Sequence, residues 1–410
     1  MARMAPSASG RGPFRRGGIL GSGGLGSAAS GSILRSAASG WIAWLLLVVL
    51  VAGCGPSWEA TVVAPDGSDV AVDAQVLEGL SDFADEEHGV PLERVLWTAG
   101  HYAIERVFLT EPEGSRHELA WAAVADDAWW QDDGRVTIGG ETFGVSRVEA
   151  ESPALLGQVE ARLIDVAPTV ATALGLPAPA QAEGQDLAVP KTQHVLLLFL
   201  DGFGYLRYTE AREANLIPNL TALPEPLLGL TEYPPSTRVG TAALLTGAPP
   251  QVNGVDGRSV RSTEVETLFD VATAAGLEVV AVEGEALAFN LRSTEVRLSG
   301  DRDGDGSTDD NVLANALAVL EDGMPDLFFV HFHGIDDAGH SYGPGTPEEE
   351  TTIREVDAAV GQLLDALPPG TLVVLFADHG MHQVEEEGRL GNHGNLIERD
   401  MFIPIIVTEE

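Results

Sequence analysis

The chain has 410 residues, with 62 Asp and Glu against 23 Lys and Arg, giving a formal net charge of −39. That length accommodates one large α/β domain and a smaller one. The charge argues against nucleic acid or an anionic membrane face as a partner, because like charges repel before contact, and an anionic substrate would need locally bound positive charge such as metal ions.

Residues 1–40 carry five Arg and no acid, with much Gly and Ser, and run into the apolar stretch Trp41–Ala52. That stretch is short of the roughly 20 residues a spanning helix needs, so it reads as a signal peptide over 1–53. Small residues directly before the only cysteine, Cys54, resemble a bacterial lipobox. The expectation is an exported chain lipid-anchored to a bacterial membrane through Cys54, facing the periplasm or the cell exterior. An ordinary secretory signal with an incidental cysteine is the other reading. Removing 1–53 takes away the five arginines and moves the charge from −39 to −44.

Residues 54–143 read as a small β-rich or α+β accessory module: alternating apolar segments such as Thr61-Val62-Val63 and Val136-Thr137-Ile138 are bounded by Gly and Asp turns. The run Gly89–Leu96 resembles a piece of the molybdopterin-oxidoreductase fold, without any cysteine there to ligate molybdenum. From 144 to 187 the pattern turns helical around Asp165–Gly175, with Asp165 as a possible cap, and then Pro- and Ala-rich. From 188 to 410, apolar runs at 194–200, 278–282, 327–332, 371–376 and 402–407 alternate with helical segments. Buried strands alternating with helices predict an α/β fold with a mostly parallel sheet sandwiched by helices.

In such sheets functional groups gather beyond the carboxyl ends of the strands. The first run ends at Asp201-Gly202, the third leads into Asp336 and His340, and the fourth ends in Asp378-His379-Gly380. Asp336 and His340 are four apart, so one helical turn brings both to one face, near enough to chelate one ion. His393 sits in the flexible frame Gly391-Asn392-His393-Gly394. Each alone is more simply a structural Asp or His; the ordered set at strand ends is what points to a metal centre. Thr237, after Pro234-Pro235-Ser236, opens an Ala- and Leu-rich helix, where backbone N–H groups favour an anion. The loop containing Asp301, Asp303, Asp305 and Asp309 has the alternating carboxylates of a calcium loop, with Val312 where an EF-hand carries its Glu. A solvated acidic turn is the equal alternative.

These residues resemble the alkaline phosphatase superfamily, most closely its type I phosphodiesterase/nucleotide pyrophosphatase-like branch. The matching motifs are Asp201, Thr237 nine residues before Thr246-Gly247, Asp336 with His340, Asp378-His379-Gly380 and His393-Gly394, in family order. The resemblance implies two divalent ions, zinc or alternatively manganese. Asp336, His340 and His393 would hold one; Asp201, Asp378 and His379 would hold the other beside a nucleophilic Thr237. The implied function is hydrolysis of small-molecule phosphate esters through a phosphothreonine.

Two departures stand out. The branch usually has Asn three residues after the nucleophile, where this chain has Gly240, so Arg238 is the candidate substitute donor to substrate. In relatives a helix like Ile164–Pro177 follows the last strand, whereas here it precedes Asp201, which reads as a circular permutation with 144–187 completing the core. The alternatives to a phosphodiesterase or phosphatase are a phosphonate hydrolase or phosphotransferase of the same superfamily, or a non-catalytic surface binding lipoprotein. His331, His333 and His382 are left open between support of the ligands and ordinary packing.

Overall fold

The computed structural model describes residues 58–410 apart from 258, 285–286, 303, 305 and 387. The expected leader and Cys54 lie outside the described residues, among which no helix is long and apolar enough to cross a membrane.

The N-terminal module contains, in chain order, β1 (Glu59–Val63), β2 (Asp69–Asp73), helix α1 (Ala74–Glu78), β3 (Val90–Pro91), helix α2 (Leu92–Thr98), β4 (Arg106–Thr110), β5 (Arg116–Ala120), β6 (Ala128–Trp130), β7 (Arg135–Ile138), β8 (Glu141–Gly144) and β9 (Arg147–Glu151). They form a five-stranded sheet ordered β2-β1-β9-β4-β5 and a four-stranded sheet ordered β3-β6-β7-β8. Alternation decides which face is inward: Val107 and Leu109 of β4 are buried while their neighbours are not. Asp73 caps α1 by accepting from the Gln75 and Val76 amides. The last strand of this module ends at Glu151, beyond the 143 that turn chemistry alone suggested.

The larger region follows with β10 (Ala161–Arg162), α3 (Val166–Ala173), β11 (Val195–Leu200), α4 (Tyr205–Glu213), α5 (Pro218–Thr221), β12 (Leu227–Leu230), α6 (Thr237–Thr246), α7 (Pro250–Asn253), α8 (Leu268–Ala274), β13 (Val279–Glu283), β14 (Glu295–Leu298), α9 (Asp309–Asp322), β15 (Leu327–Phe332), α10 (Gly334–Tyr342), α11 (Pro347–Asp365) and β16 (Leu372–Phe376). A hairpin of β17 (His382–Glu386) and β18 (Arg389–Asn392), helix α12 (Glu398–Met401) and β19 (Phe402–Glu409) complete it.

Eight strands build one sheet in the order β10-β12-β19-β16-β11-β15-β13-β14. All run parallel except β19, which lies antiparallel between β12 and β16. The central strand β11 is buried at all six positions, so its sequence is continuously apolar rather than alternating, as expected where both faces are covered. The long helix α11 starts where Thr346 accepts from the Glu349 amide, with Pro347 next and three glutamates in the first turn.

Two apolar cores result. One fills the space around the parallel sheet. The other joins the module to the far edge of that sheet, combining Leu92, Val95, Trp121 and Trp130 with Leu228, Leu230, Tyr233, Leu396, Met401 and Phe402. The segment before β11 belongs to the large region: β10 pairs with β12, and α3 packs on α6. Asp165 does not cap α3; it accepts from the Arg162 and Gln185 amides, while the Thr169 hydroxyl accepts from Leu187. The Pro- and Ala-rich stretch is therefore pinned to the helix it follows.

Candidate active site

Strand ends place the acids. Asp201 follows β11, where Gly202 turns the chain at φ +70°, and a Cβ at Gly202 would lie 2.9 Å from Asp336. Asp378 follows the neighbouring strand β16, whose Phe376 pairs with Phe199 of β11. The main chain thus delivers Asp201 and Asp378 side by side, with His379 next to both. His379 Nε2 is 3.3 Å from Asp378 Oδ2 and 3.5 Å from Asp201 Oδ1. Asp336 and His340 lie one turn apart on α10, with His340 Nε2 3.2 Å from Asp336 Oδ2. His393, in the loop after β18, brings Nε2 to 3.8 Å from Asp336 Oδ1, and its ring stacks on His379 at 3.8 Å. Both predicted triads converge, the ligand atoms of each lying within 4.8 Å of one another.

The imidazoles share one arrangement. Nδ1 of His379 faces the Gly380 carbonyl at 3.0 Å, that of His340 the Gly391 carbonyl at 2.8 Å, and that of His393 the Pro235 carbonyl at 2.9 Å. A carbonyl only accepts, so Nδ1 of His379 and His393 carries the proton and their Nε2 is left to face the acids, while Nδ1 of His340 also meets the Arg389 guanidinium at 2.9 Å. That is how a protein orients imidazoles toward a cation. Asp336 Oδ1 and Asp378 Oδ2 are buried and accept no hydrogen bond. Orphaned carboxylate oxygens at the centre of both triads fit divalent cations. Burial, and then the charges of Asp201 and Asp336, push the Asp378 carboxyl well above its ordinary range. A cation between these acids would relieve that repulsion.

Thr237 begins α6, with its hydroxyl 3.5 Å from Asp201 Oδ1 and 3.4 Å from His379 Nε2. Ser236 makes no side-chain capping bond, so the first-turn amides of this ten-residue helix are open to an anion. A cavity of about 210 Å³ opens here, lined by Ser236, Thr237, Arg238, Ala288, Asp336, His340 and His393. Arg238 borders it but its Nε donates to the Ala288 carbonyl at 3.0 Å. Gly240 faces the other way: a Cβ there would lie 2.7 Å from Asp378 Cβ. Any side chain at 240 therefore requires α6 or the strand end that carries Asp378 to shift. Arg389, from the hairpin, places Nη2 2.8 Å from His340 Nε2 and brings a positive charge to the outer triad.

The histidines left open by the sequence have definite partners. His331 spans Glu283, 2.9 Å from Nδ1, and Asp201, 3.2 Å from Nε2. His333 contacts Glu283 at 3.0 Å and Asp201 at 3.5 Å, so Asp201, His331 and His333 form a third close group. Burial would raise the Asp201 carboxyl, but hydrogen bonds from His331 and His333 hold it well below the usual range. His382 bridges Asp400 at 2.9 Å and Asp126 of the module at 3.4 Å. Burial works against its protonated form, yet these two acids push it up to about 10.

Sequence reasoning missed Glu283, although it closes β13 as Asp201 closes β11, and that strand-end signal was available. Of the four acids expected in a calcium loop, Asp309 opens helix α9. Its two carboxylate oxygens accept from the His333 and Gly334 amides at 2.9 Å, which fixes the entry to α10. Asp301 accepts from the Gly304 and Gly306 amides, while Asp303 and Asp305 lie outside the described residues.

Residues 195–402 match the type I phosphodiesterase / nucleotide pyrophosphatase family. Among curated proteins, human GPI ethanolamine phosphate transferase 3, catalytic subunit, is 29% identical over 211 residues, 49% of this chain and 18% of that one. Human ectonucleotide pyrophosphatase/phosphodiesterase family member 7 is 33% identical over 82 residues, 19% of this chain and 17% of that one. The chain thus spans less than a fifth of the length of these relatives. Among solved structures, phosphonoacetate hydrolase from Sinorhizobium meliloti 1021 aligns with a TM-score of 0.40 at 21% identity, over 51% of this chain and 61% of that one. The family match covers the strands and loops that carry all six converging acids and imidazoles and Thr237, and the chain belongs to the type I phosphodiesterase/nucleotide pyrophosphatase family.

Proposed function

We propose that the chain is a metal-dependent hydrolase of phosphate esters, with Thr237 as nucleophile. The observation that carries this reading is the Thr237 hydroxyl, at an uncapped helix N-terminus, 3.5 Å from Asp201 and 3.4 Å from His379. Asp336, His340 and His393 would hold one divalent ion, and Asp201, Asp378 and His379 a second; zinc suits their mixed nitrogen and oxygen donors. Bound there, two such ions would make a hydroxyl nucleophilic at neutral pH and neutralise charge on the transferring phosphoryl group. Thr237 Oγ would form a bond to phosphorus as the bond to the leaving alcohol breaks, giving a phosphothreonine that water then hydrolyses. The first-turn amides of α6 would hold the phosphoryl oxygens, replacing the side-chain donor that Gly240 lacks.

Transfer to an alcohol instead of water is a second reading, favoured by the 211-residue similarity to a phosphotransferase. Export and lipid anchoring at Cys54, and the reading of 144–187 as a permuted part of the catalytic core, belong to the same proposal. The latter has support in the pairing of β10 with β12.

The test is turnover of 4-nitrophenyl phosphate and bis(4-nitrophenyl) phosphate, with metal content measured on the same samples. Thr237→Ala should lower turnover by at least about a thousandfold while the ion content stays at two per chain. Turnover that persists in this variant removes Thr237 as nucleophile. Added alcohol that captures the phosphoryl group in preference to water selects the transferase reading.

A further inference from the structure

The N-terminal module lies outside the family-matched residues, yet its side chains reach the two loops that carry Thr237 and His393. Glu93 of α2 is buried, and each of its carboxylate oxygens serves one loop. Oε1 accepts from the Tyr233 hydroxyl at 2.8 Å, four residues before Thr237. Oε2 accepts from the Leu396 amide at 3.1 Å, three residues after His393. The Leu396 carbonyl accepts from the Ile104 amide at 2.7 Å, so this residue is tied to the module through both of its main-chain polar groups. Tyr233 is further gripped by the Arg94 guanidinium, 4.8 Å over its ring, and by Trp97 at 5.4 Å.

A second module residue works from the other side. Asp126 accepts from the Asn395 side-chain amide at 2.8 Å and lies 3.4 Å from His382 Nε2. His382 in turn holds Asp400, whose Oδ2 accepts from the Gly394 and Asn395 amides at 3.0 Å. The three residues after His393 are thus held by the module and by a network that the module completes. The two loops also meet directly, where His393 donates to the Pro235 carbonyl at 2.9 Å.

Burying a carboxylate is expensive, and nothing about filling space at position 93 calls for one. Burial pushes Glu93 up to about 7, and what the site receives in return is a pair of acceptors aimed at two loops that share no strand. We propose that residues 58–151 act as a positioning clamp on the catalytic loops, in which Glu93 fixes the Thr237 and His393 segments relative to one another and Asp126 secures the His393 segment. Neither touches the reacting atoms; both act through the loops they hold. This inference rests on the assignment of His393 as a ligand and Thr237 as nucleophile.

The test uses the full chain with Glu93→Gln, Glu93→Ala and Asp126→Ala. Amide hydrogen exchange of the metal-free protein reads the clamp independently of any reaction. Exchange at 393–397 should quicken by about tenfold or more in both Glu93→Ala and Asp126→Ala, and exchange at 233–240 in Glu93→Ala, while β11, β15 and β16 keep their protection. Glu93→Gln, which keeps one acceptor, should fall between parent and Glu93→Ala. Zinc titration of the same proteins should show one of two affinities weakened about tenfold by Asp126→Ala, with kcat reduced and KM little changed. Unchanged exchange in both loops overturns the clamp, as does a uniform rise across the whole sheet. A parent chain that binds fewer than two ions overturns the two-ion reading instead, and leaves the exchange result standing.

Discussion

The two candidate metal-binding triads are built by different means. The inner one, Asp201, Asp378 and His379, follows directly from two neighbouring buried strands whose register is set by the sheet. The outer one, Asp336, His340 and His393, is assembled from a helix and a loop at the wall of a cavity, and its loop is secured by residues of the module. The inner geometry is a by-product of forming the core. The outer geometry depends on contacts that the core does not guarantee.

The sharpest way to break this comparison is to remove one ligand from each triad. Asp378→Asn should cost at least about a thousandfold in turnover, yet stabilise the metal-free protein, because it removes a carboxylate that burial, Asp201 and Asp336 all disfavour. His393→Ala should cost on the order of a hundredfold in turnover and retain one ion per chain. Elemental analysis and thermal unfolding check both. Loss of both ions from either variant would mean that the triads behave as one unit.

A smaller effect, on the outer side, comes from pH. Burial raises Glu93 to about 7, and burial also raises Glu232 to about 7 despite its ion pair with Arg162. For an acid raised in the folded state, stability is present in full below its unfolded value near 4.5 and is lost as pH rises through 7. Each group accounts for about 3 kcal/mol by the linkage relation. Glu283 has the opposite sign: burial notwithstanding, His331 and His333 hold it near 2, so its contribution is lost as pH falls from 4.5 toward 2. The metal-free protein should therefore be most stable near pH 5, and Glu93→Gln should flatten the decline toward pH 8. Unfolding midpoints measured across that range check the sign.

The smallest effect sharpens the inner half of the comparison. Gly240→Ala places a Cβ 2.7 Å from Asp378 Cβ, so α6 or the strand end must shift. Overpacking of this kind costs about 1–3 kcal/mol. Loss of activity with little change in unfolding midpoint would show that the shift is taken up at Thr237 rather than in the core.

What the sequence made legible was local. Continuous apolar runs located the buried strands, and the four-residue spacing of Asp336 and His340 anticipated a contact found at 3.2 Å. Asp201 and Asp378 could be read because each lies within two residues of a strand end. What stayed hidden depends on partners far away in the chain. Glu93 and Asp400 work by supporting residues from other elements, and a lone acid in sequence carries no sign of which amide or imidazole it will meet. The antiparallel placement of β19 was hidden for the same reason: its apolar run resembles that of its parallel neighbours, and direction is set by the connection around α12.

Glu93 and Leu396 are 303 positions apart, and the core beneath them draws on Leu396, Ile397, Met401 and Phe402. During synthesis the module emerges first, but the residues that close it arrive about three hundred positions later. Contacts of such long range form late and slowly. The module must wait, with the Glu93 carboxylate lacking its Tyr233 and Leu396 partners, until the chain that follows has built the sheet whose edge it will share.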